Sequence, residues 1–452
     1  FHPPGADNTY VETLFFGTTG STVRNYWREV SYDNLFVDRP SLSDPPNPNV
    51  NPDVVGWLHA GDGTGGTFPS SVVSSSGIAG VDVNNVSILL DNAVRYLDTI
   101  PFDFRPYVGV SDNTLIQSVI IVQPGYGQED SGGLGDTYSH TAQIADITTA
   151  GGFRIRDYTI VPAAQFYNDT SGGTNPPLIG IGVIVHEMGH LLGLPDLYPT
   201  LTFGQTTESF SGVGIFDLMG YGLWGNAALT RADNPAHLSA WSKVELGWLS
   251  PTVLSATQPT SGAGQPVLPP VATAATAYQV YANGPGGVEG LPGIFRDGAE
   301  YFLLEHRRGD APGAIFDRGL TGTGGPWEGV LIWRVDNERM EAWRRSALDP
   351  LGRSNTVNVD PNALALAVME ADLSNAFPTP HLVQPFSVGP QAFGAAGDLF
   401  NGSAPEFSRT SPVEGLNRTN SAPIIETTTG HAFDAGFLVR IYQFVKDALT
   451  GF

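Results

Sequence analysis

Apolar residues in this chain gather in short runs, and most of those runs are closed by Gly or Pro. Such spacing predicts short strands joined by turns and long surface loops, with few helices. Three early runs read as strands: Thr13 to Phe16, Leu35 to Val37, and Ser118 to Val122, the last a β-branched run followed by Pro124-Gly125. Val86, Leu89, Leu90, Ala93, Val94 and Leu97 recur at helical spacing and predict a helix over 86–97 laid on a sheet. The Pro-, Ser- and Asn-rich stretch Pro40 to Pro52 and the glycines of Gly61 to Gly66 predict loops. The second of these lacks the preceding buried strand and the following Lys-Ser/Thr of a phosphate-cradling loop.

From Ser250 to Pro270 the chain is dense in Pro, Ser, Thr, Gly and Ala, a linker-like composition that sets a domain boundary near 250. Beyond it, strand-like runs recur at Ala277 to Tyr281, Glu300 to Glu305, Gly329 to Val335, Ala363 to Met369 and Phe437 to Ile441. The expected organisation is an α/β (α+β) domain over 1–250 with long loop insertions, followed by a mainly β, sandwich-like domain over 251–452.

One apolar stretch stands apart because it carries ionisable residues. Between Leu178 and Asp196 lies His186-Glu187-Met188-Gly189-His190, flanked by Ile181, Val183, Ile184, Val185, Leu191 and Leu192. Helix positions four apart lie one above the other, so both imidazoles can reach one ion while Glu187 leans toward a water bound there. Zinc is the metal expected for His186 and His190, with Glu187 as general base. The bland alternative, polar residues on a surface helix, fits badly with flanks that are apolar nearly all round, because burying two His and a Glu without partners is costly.

Gly193 permits a left-handed helix end, and Pro195 prevents the helix from resuming. The resulting turn can swing Asp196 back as a third ligand, leaving a fourth position for water. About 30 residues farther on, Met219-Gly220-Tyr221 resembles the Met-turn of metzincins, in which a Met lies beneath the metal and a Tyr in some members reaches it. Tyr221 is therefore a candidate to hydrogen-bond the oxyanion of an attacked carbonyl. Core packing is the competing reading for both residues.

Composition narrows the chemistry. With no Cys in 452 residues, any metal must be held by His, Asp, Glu or backbone oxygen. The formal charge of -23 repels nucleic acid and anionic membranes, and no apolar run approaches the roughly 20 residues of a membrane span. An excess of carboxylates also suits bound calcium, for which the Gly-rich loop Glu129-Asp130 to Asp136 offers oxygens, although solvation of acidic loops explains it as well. Position 1 is Phe and no signal segment precedes it, so a processed form is expected. His140 and His237 read as hydrogen-bonded structural residues, since neither has motif spacing to the metal site.

Taken together, these stretches resemble the immune-inhibitor-A family of secreted metallopeptidases (M6). The likeness rests on His186 to Tyr198, the Leu218-Met219 turn, Pro235 to Trp248, Glu300 to Glu305 and Gly329 to Asp336, and extends from about Thr13 to Gly430. The resemblance implies a secreted zinc endopeptidase acting on proteins or peptides, with a metzincin-like catalytic domain, a β-sandwich behind it, bound calcium and a removable pro-segment. The chain departs from many relatives at Pro199, where they carry Asp. A surface adhesin with a remnant zinc site is the rival from another class, and the intact Glu187 argues against it.

Overall fold

The computed structural model describes residues 3–38, 83–100, 102–109, 111–133, 136–166, 171–200, 212–225, 232–254, 266–281, 300–322, 324–347, 357–359, 364–369, 406–408, 423–429 and 437–444, with single residues 54, 169, 353, 355 and 399. Contacts group the chain into two compact units of mixed α and β structure. The first takes Phe1–Asn25 and Phe36–Leu191, and the second Tyr26–Leu35 and Leu192–Phe452. The expected loops over Pro40 to Pro52 and Gly61 to Gly66 lie outside the described residues.

In the first unit, α1 (Asn8–Phe16) replaces the strand expected at Thr13 to Phe16. Asp7 caps it, its carboxylate accepting from Tyr10 N at 2.8 Å, and this start signal lies upstream of the run whose β-branched and aromatic residues suggested a strand. Helical spacing then brings Tyr10, Val11, Leu14 and Phe15 onto one apolar seam with Val122, Ala163, Ile179 and Ile184. Tertiary packing of that face outweighs local β propensity. A second helix, α2 (Val23–Val30), begins in the first unit and continues from Tyr26 as part of the second, burying Val23, Tyr26, Trp27 and Val30 completely. The strand expected at Leu35 to Val37 is also absent. There Ser31 Oγ accepts from Asn34 N and Leu35 N and turns the chain, which runs on without a ladder partner among the described residues.

The expected helix forms as α3 (Val83–Thr99), and the strand expected at 118–122 forms from Val119 and runs on beyond it. The sheet has β4 (Arg154–Ala164) at its centre, with β1 (Leu115–Ile116) and β2 (Val119–Tyr126) parallel on one side and β3 (His140–Thr148) antiparallel on the other. Alternation along β4 divides its side chains between two faces. Tyr158 and Ile160 join the core of Val86, Leu90 and Val94 from α3. Thr159 and Ala163 point the other way: Thr159 meets Thr141 of β3, and Ala163 meets Ile184 of α5 (Ile181–Leu191). A short α4 (Gln128–Ser131) leaves the end of β2.

The second unit holds two further helices, α6 (Ala240–Glu245) and α7 (Asn337–Arg344), and several sheets. Its five-stranded sheet runs β12 (Leu366–Met369), β11 (Glu328–Asp336), β8 (Glu300–Arg308), β7 (Tyr278–Tyr281), β5 (Thr252–Val253). A four-stranded sheet runs β13 (Glu406–Ser408), β14 (Pro423–Thr429), β15 (Phe437–Phe444), β6 (Val267–Leu268), and β9 (Thr321–Gly322) pairs with β10 (Gly325–Pro326). All five strand-like runs beyond the linker thus overlap strands, with Ala363 lying outside the described residues.

Alternation again sorts the five-stranded sheet. Tyr278, Val280, Phe302, Leu304, Val330 and Ile332 form one apolar core. The opposite face carries Glu305, Arg307 and Trp333, all buried, and with them a network of charge. Arg307 donates from Nε to Asp317 Oδ2 at 2.8 Å, from Nη2 to Asp317 Oδ1, and from Nη1 to Glu305 Oε1 at 3.1 Å and to the Phe216 carbonyl. Asp317 also accepts from His237 N at 2.7 Å. The His237 ring bridges Glu29 Oε1 at 2.9 Å and Lys243 Nζ at 3.1 Å, and Lys243 also donates to the Tyr32 hydroxyl at 3.0 Å. His237 is therefore hydrogen-bonded and structural.

Burial, then the charge of Lys243, pushes His237 below its ordinary value despite the opposing pull of Asp317 and Glu29. A His depressed in the fold is neutral there while the unfolded chain already binds its proton. Stability is therefore complete above the unfolded value of 6.5 and drains as pH falls from there through the folded value. We expect the thermal midpoint to drop below pH 6.5, with a shallower drop for His237→Gln, as followed by circular dichroism. An equal drop in that variant would place the titration elsewhere.

Candidate active site

Helix α5 is held by buried Ile181, Val183, Ile184 and Val185 and ends at Leu191, shortly before Gly193 at φ 91°. On this apolar scaffold His186 and Glu187 are buried and His190 is half-buried. One ligand atom from each of the three lies within 4.8 Å of the others, the one such cluster among the described residues. The two imidazoles stand nearly perpendicular, 87° apart, with ring centres separated by 5.0 Å. The backbone carbonyl of Glu187 accepts from Thr141 Oγ1 at 2.8 Å, which ties the helix to β3.

Glu187 Oε2 is buried and meets no hydrogen-bond donor among the described residues. Leaving a carboxylate oxygen in that state costs stability, so the arrangement calls for a ligand that the described residues do not supply. Two imidazole nitrogens beside a carboxylate are a donor set suited to a divalent metal with its water. The residues present fit such a group.

In the second unit, Asp196 and Tyr221 share a neighbourhood. Burial, then the charge of Asp196, pushes the Tyr221 hydroxyl up to about 12. Tyr198 packs against the Tyr221 ring with centres 5.6 Å apart. Asn355 grips Asp196 at two points, accepting from its backbone N at 2.7 Å and donating from Nδ2 to its Oδ2. Asn358 Nδ2 donates to the next carbonyl, Leu197 O, at 3.1 Å.

The turn around Met219 is built on Asp217, which is wholly buried. Its Oδ1 accepts from Met219 N at 2.7 Å, and its Oδ2 accepts from Ser239 N at 2.8 Å and Ser242 Oγ at 2.7 Å. The Asp217 carbonyl accepts from Gly220 N and Gly222 N, both at 3.0 Å. A Cβ on Gly222 would lie 2.3 Å from that carbonyl, so only glycine permits the approach. Leu197 N donates to Met219 O at 2.8 Å, so the Asp196 segment and the turn are one piece of structure.

The structure thus brings His186, Glu187 and His190 together in one unit, and Asp196 and Tyr221 together in the other. Asn355 gave no signal in the sequence, lying 159 residues from Asp196 in an unremarkable Ser-Asn-Thr segment. Asp217 did carry one, since an Asp two residues before a turn residue commonly bonds its backbone. His140 proves hydrogen-bonded through both ring nitrogens, to Tyr138 O at 2.9 Å and the Tyr158 hydroxyl at 2.7 Å. Glu129, Asp130 and Asp136 do not converge: they engage Ser139, Phe166 N and Ser131 Oγ respectively.

A buried His-Glu-x-x-His helix set on a mixed sheet is an arrangement suited to metal-assisted peptide hydrolysis. Residues 109–249 match the family model of the immune inhibitor A peptidase M6 catalytic domain, which supports the M6 resemblance read from the sequence. No curated protein matches the chain. Among the described residues, no helix is long and apolar enough to cross a membrane.

Replacing Asp217 with Ala strips the acceptor from three buried donors at once. We expect a loss of about 3 kcal/mol or more in urea unfolding. A loss under about 1 kcal/mol would show that these bonds do not hold the turn.

Proposed function

We propose that the chain is a secreted zinc-dependent endopeptidase that cleaves peptide bonds within proteins, in a metzincin-like catalytic domain followed by a β-rich, sandwich-like one. The observation that carries this reading is the buried, donorless Oε2 of Glu187 beside His186 and His190. His186, His190 and Asp196 would hold the metal. Zinc, when bound, polarises the substrate carbonyl and makes a nearby water acidic. Glu187 takes a proton from the attacking water and returns it to the leaving amine, so no covalent acyl-enzyme forms. Tyr221, raised to about 12, keeps its proton through neutral pH and can donate a hydrogen bond to the oxyanion. Asn355 orients Asp196 as the outer partner of a ligand.

Calcium is proposed as a structural ion, supported by 45 acidic against 22 basic residues and the absence of Cys. The same acidity supports protein rather than nucleic-acid partners. Secretion and removal of a pro-segment follow the family resemblance.

Glu187→Ala is expected to keep zinc, counted by atomic absorption, and to abolish casein cleavage. Full residual activity would overturn the role of Glu187. Chelation should stop the wild type, and added zinc should restore it. Asn355→Ala should weaken zinc binding about 10- to 100-fold in a competition titration, with little change in folding. Unchanged affinity would remove Asp196 from the ligand set.

A further inference from the structure

Glu129 stands on α4 in the first unit, and the mechanism above does not use it. Its carboxylate accepts from Ser139 Oγ at 2.6 Å and from Ser139 N at 3.1 Å. Ser139 is buried and lies two residues before Thr141, so the two side chains leave the same face of the chain entering β3. Thr141 uses that face to hold the backbone of Glu187. One strand step of about 7 Å therefore separates the anchor of Glu129 from the anchor of Glu187.

Local structure makes room for the carboxylate. A Cβ on Gly127 would lie 2.1 Å from Glu129 Oε1, so the side chain folds back over a position that only glycine leaves open. Burial pushes the carboxyl up to about 7 against the pull of the Ser139 bonds, and the charge of Glu187 adds to the rise. The two carboxylates thus share one field. Among the described residues no Lys, Arg or His pairs with Glu129, although the residue as a whole stays partly exposed. Its neighbour Asp130 is engaged by Phe166 N at 2.6 Å.

A carboxylate fixed by two donors, in the field of a second whose Oε2 meets no donor among the described residues, is short of positive charge. We propose that Glu129 is a specificity-determining residue of the peptidase site, taking a cationic group of the substrate, ammonium or guanidinium, close to the bond that Glu187 attends. This rests on the reading of Glu187 as general base. The cation could be a Lys or Arg side chain or the free α-amine of a peptide, and both present the same chemistry.

The test uses the full zinc-loaded chain and peptide sets that differ by Lys against norleucine at each position, and by a free against an acetylated N-terminus. Cleavage rates are measured on the loaded chain, and Kd by fluorescence anisotropy on the metal-stripped chain. The wild type should prefer the cationic member by about tenfold in both readouts, as one partly buried charge pair allows. Glu129→Gln should bring that ratio to about one, while an acetylated neutral peptide is still cleaved. Asp91→Asn, which removes equal charge from the solvent-facing side of α3, should leave the ratio intact. Loss on acetylation alone assigns the α-amine, and loss with norleucine alone assigns the side chain.

A wild type without preference, or a preference that survives Glu129→Gln, overturns the proposal. If Glu129→Gln fails to fold, Ser139→Ala, which removes the hydroxyl donor and leaves only the backbone N to fix the carboxylate, should lower the ratio, and an unchanged ratio overturns the proposal too. If the wild type cleaves nothing, the general-base reading falls, while the Kd ratio still decides the role of Glu129.

Discussion

The guanidinium of Arg307 is the constraint on which the second unit turns. It is wholly buried, and its partners come from three places in the chain: Glu305 on its own strand, Asp317, and the carbonyl of Phe216. Such a group tolerates no loose arrangement, because an unpaired charge in the interior costs several kcal/mol. By fixing Phe216 it fixes the peptide that leads into Asp217. Asp217 then dictates the turn at Met219, and Met219 O receives Leu197 N beside Asp196. The position of a proposed metal ligand is thus traced back, bond by bond, to a cation that never meets substrate.

The first unit solves a different problem. Its sheet must serve two helices, and period-two alternation along β4 gives one face to α3 and the other to α5. The face toward α5 mixes Thr141 and Thr159 hydroxyls with apolar residues, which lets the sheet grip a helix backbone by hydrogen bonding as well as by packing. That grip matters because α5 carries a carboxylate oxygen that meets no donor among the described residues. A helix holding such a group is less stable than its apolar flanks would make it, and the surrounding contacts offset the deficit.

Much of this was legible where the cause is local. The His186-Glu187-His190 cluster follows from helical spacing, strands β2 and β11 follow from β-branched runs, and β8 from the apolar run Tyr301 to Leu304. Helix α2 was legible too, since Val23, Tyr26, Trp27 and Val30 repeat at i, i+3, i+4 and i+7, yet the eye is drawn to stronger runs. At Thr13 to Phe16 local propensity misled, because the deciding facts were a cap at Asp7 and the apolar surface waiting for Phe15. The long-range bonds had no pattern to betray them. Nothing near Glu29 announces the backbone of Ile315, and nothing near Asp196 announces Asn355.

That bond between Glu29 and Ile315 closes a span of 286 residues within one compact unit. During synthesis, the segment holding Glu29 emerges long before the strand that bears Arg307 or the loop that bears Asp317. Until those arrive, Glu29, His237 and Lys243 have no enclosed site to enter, and loop closure over such a distance is slow. The second unit therefore assembles late and as a whole. A fragment cut to residues 109–249 would keep every His and Glu of the α5 cluster, and Asp196 and Tyr221 with them, yet lack both Glu29 and Arg307. A polypeptide that stops before Arg307 therefore leaves the Asp217 turn, and the Asp196 segment bonded to it, without the cation that holds Phe216 in place.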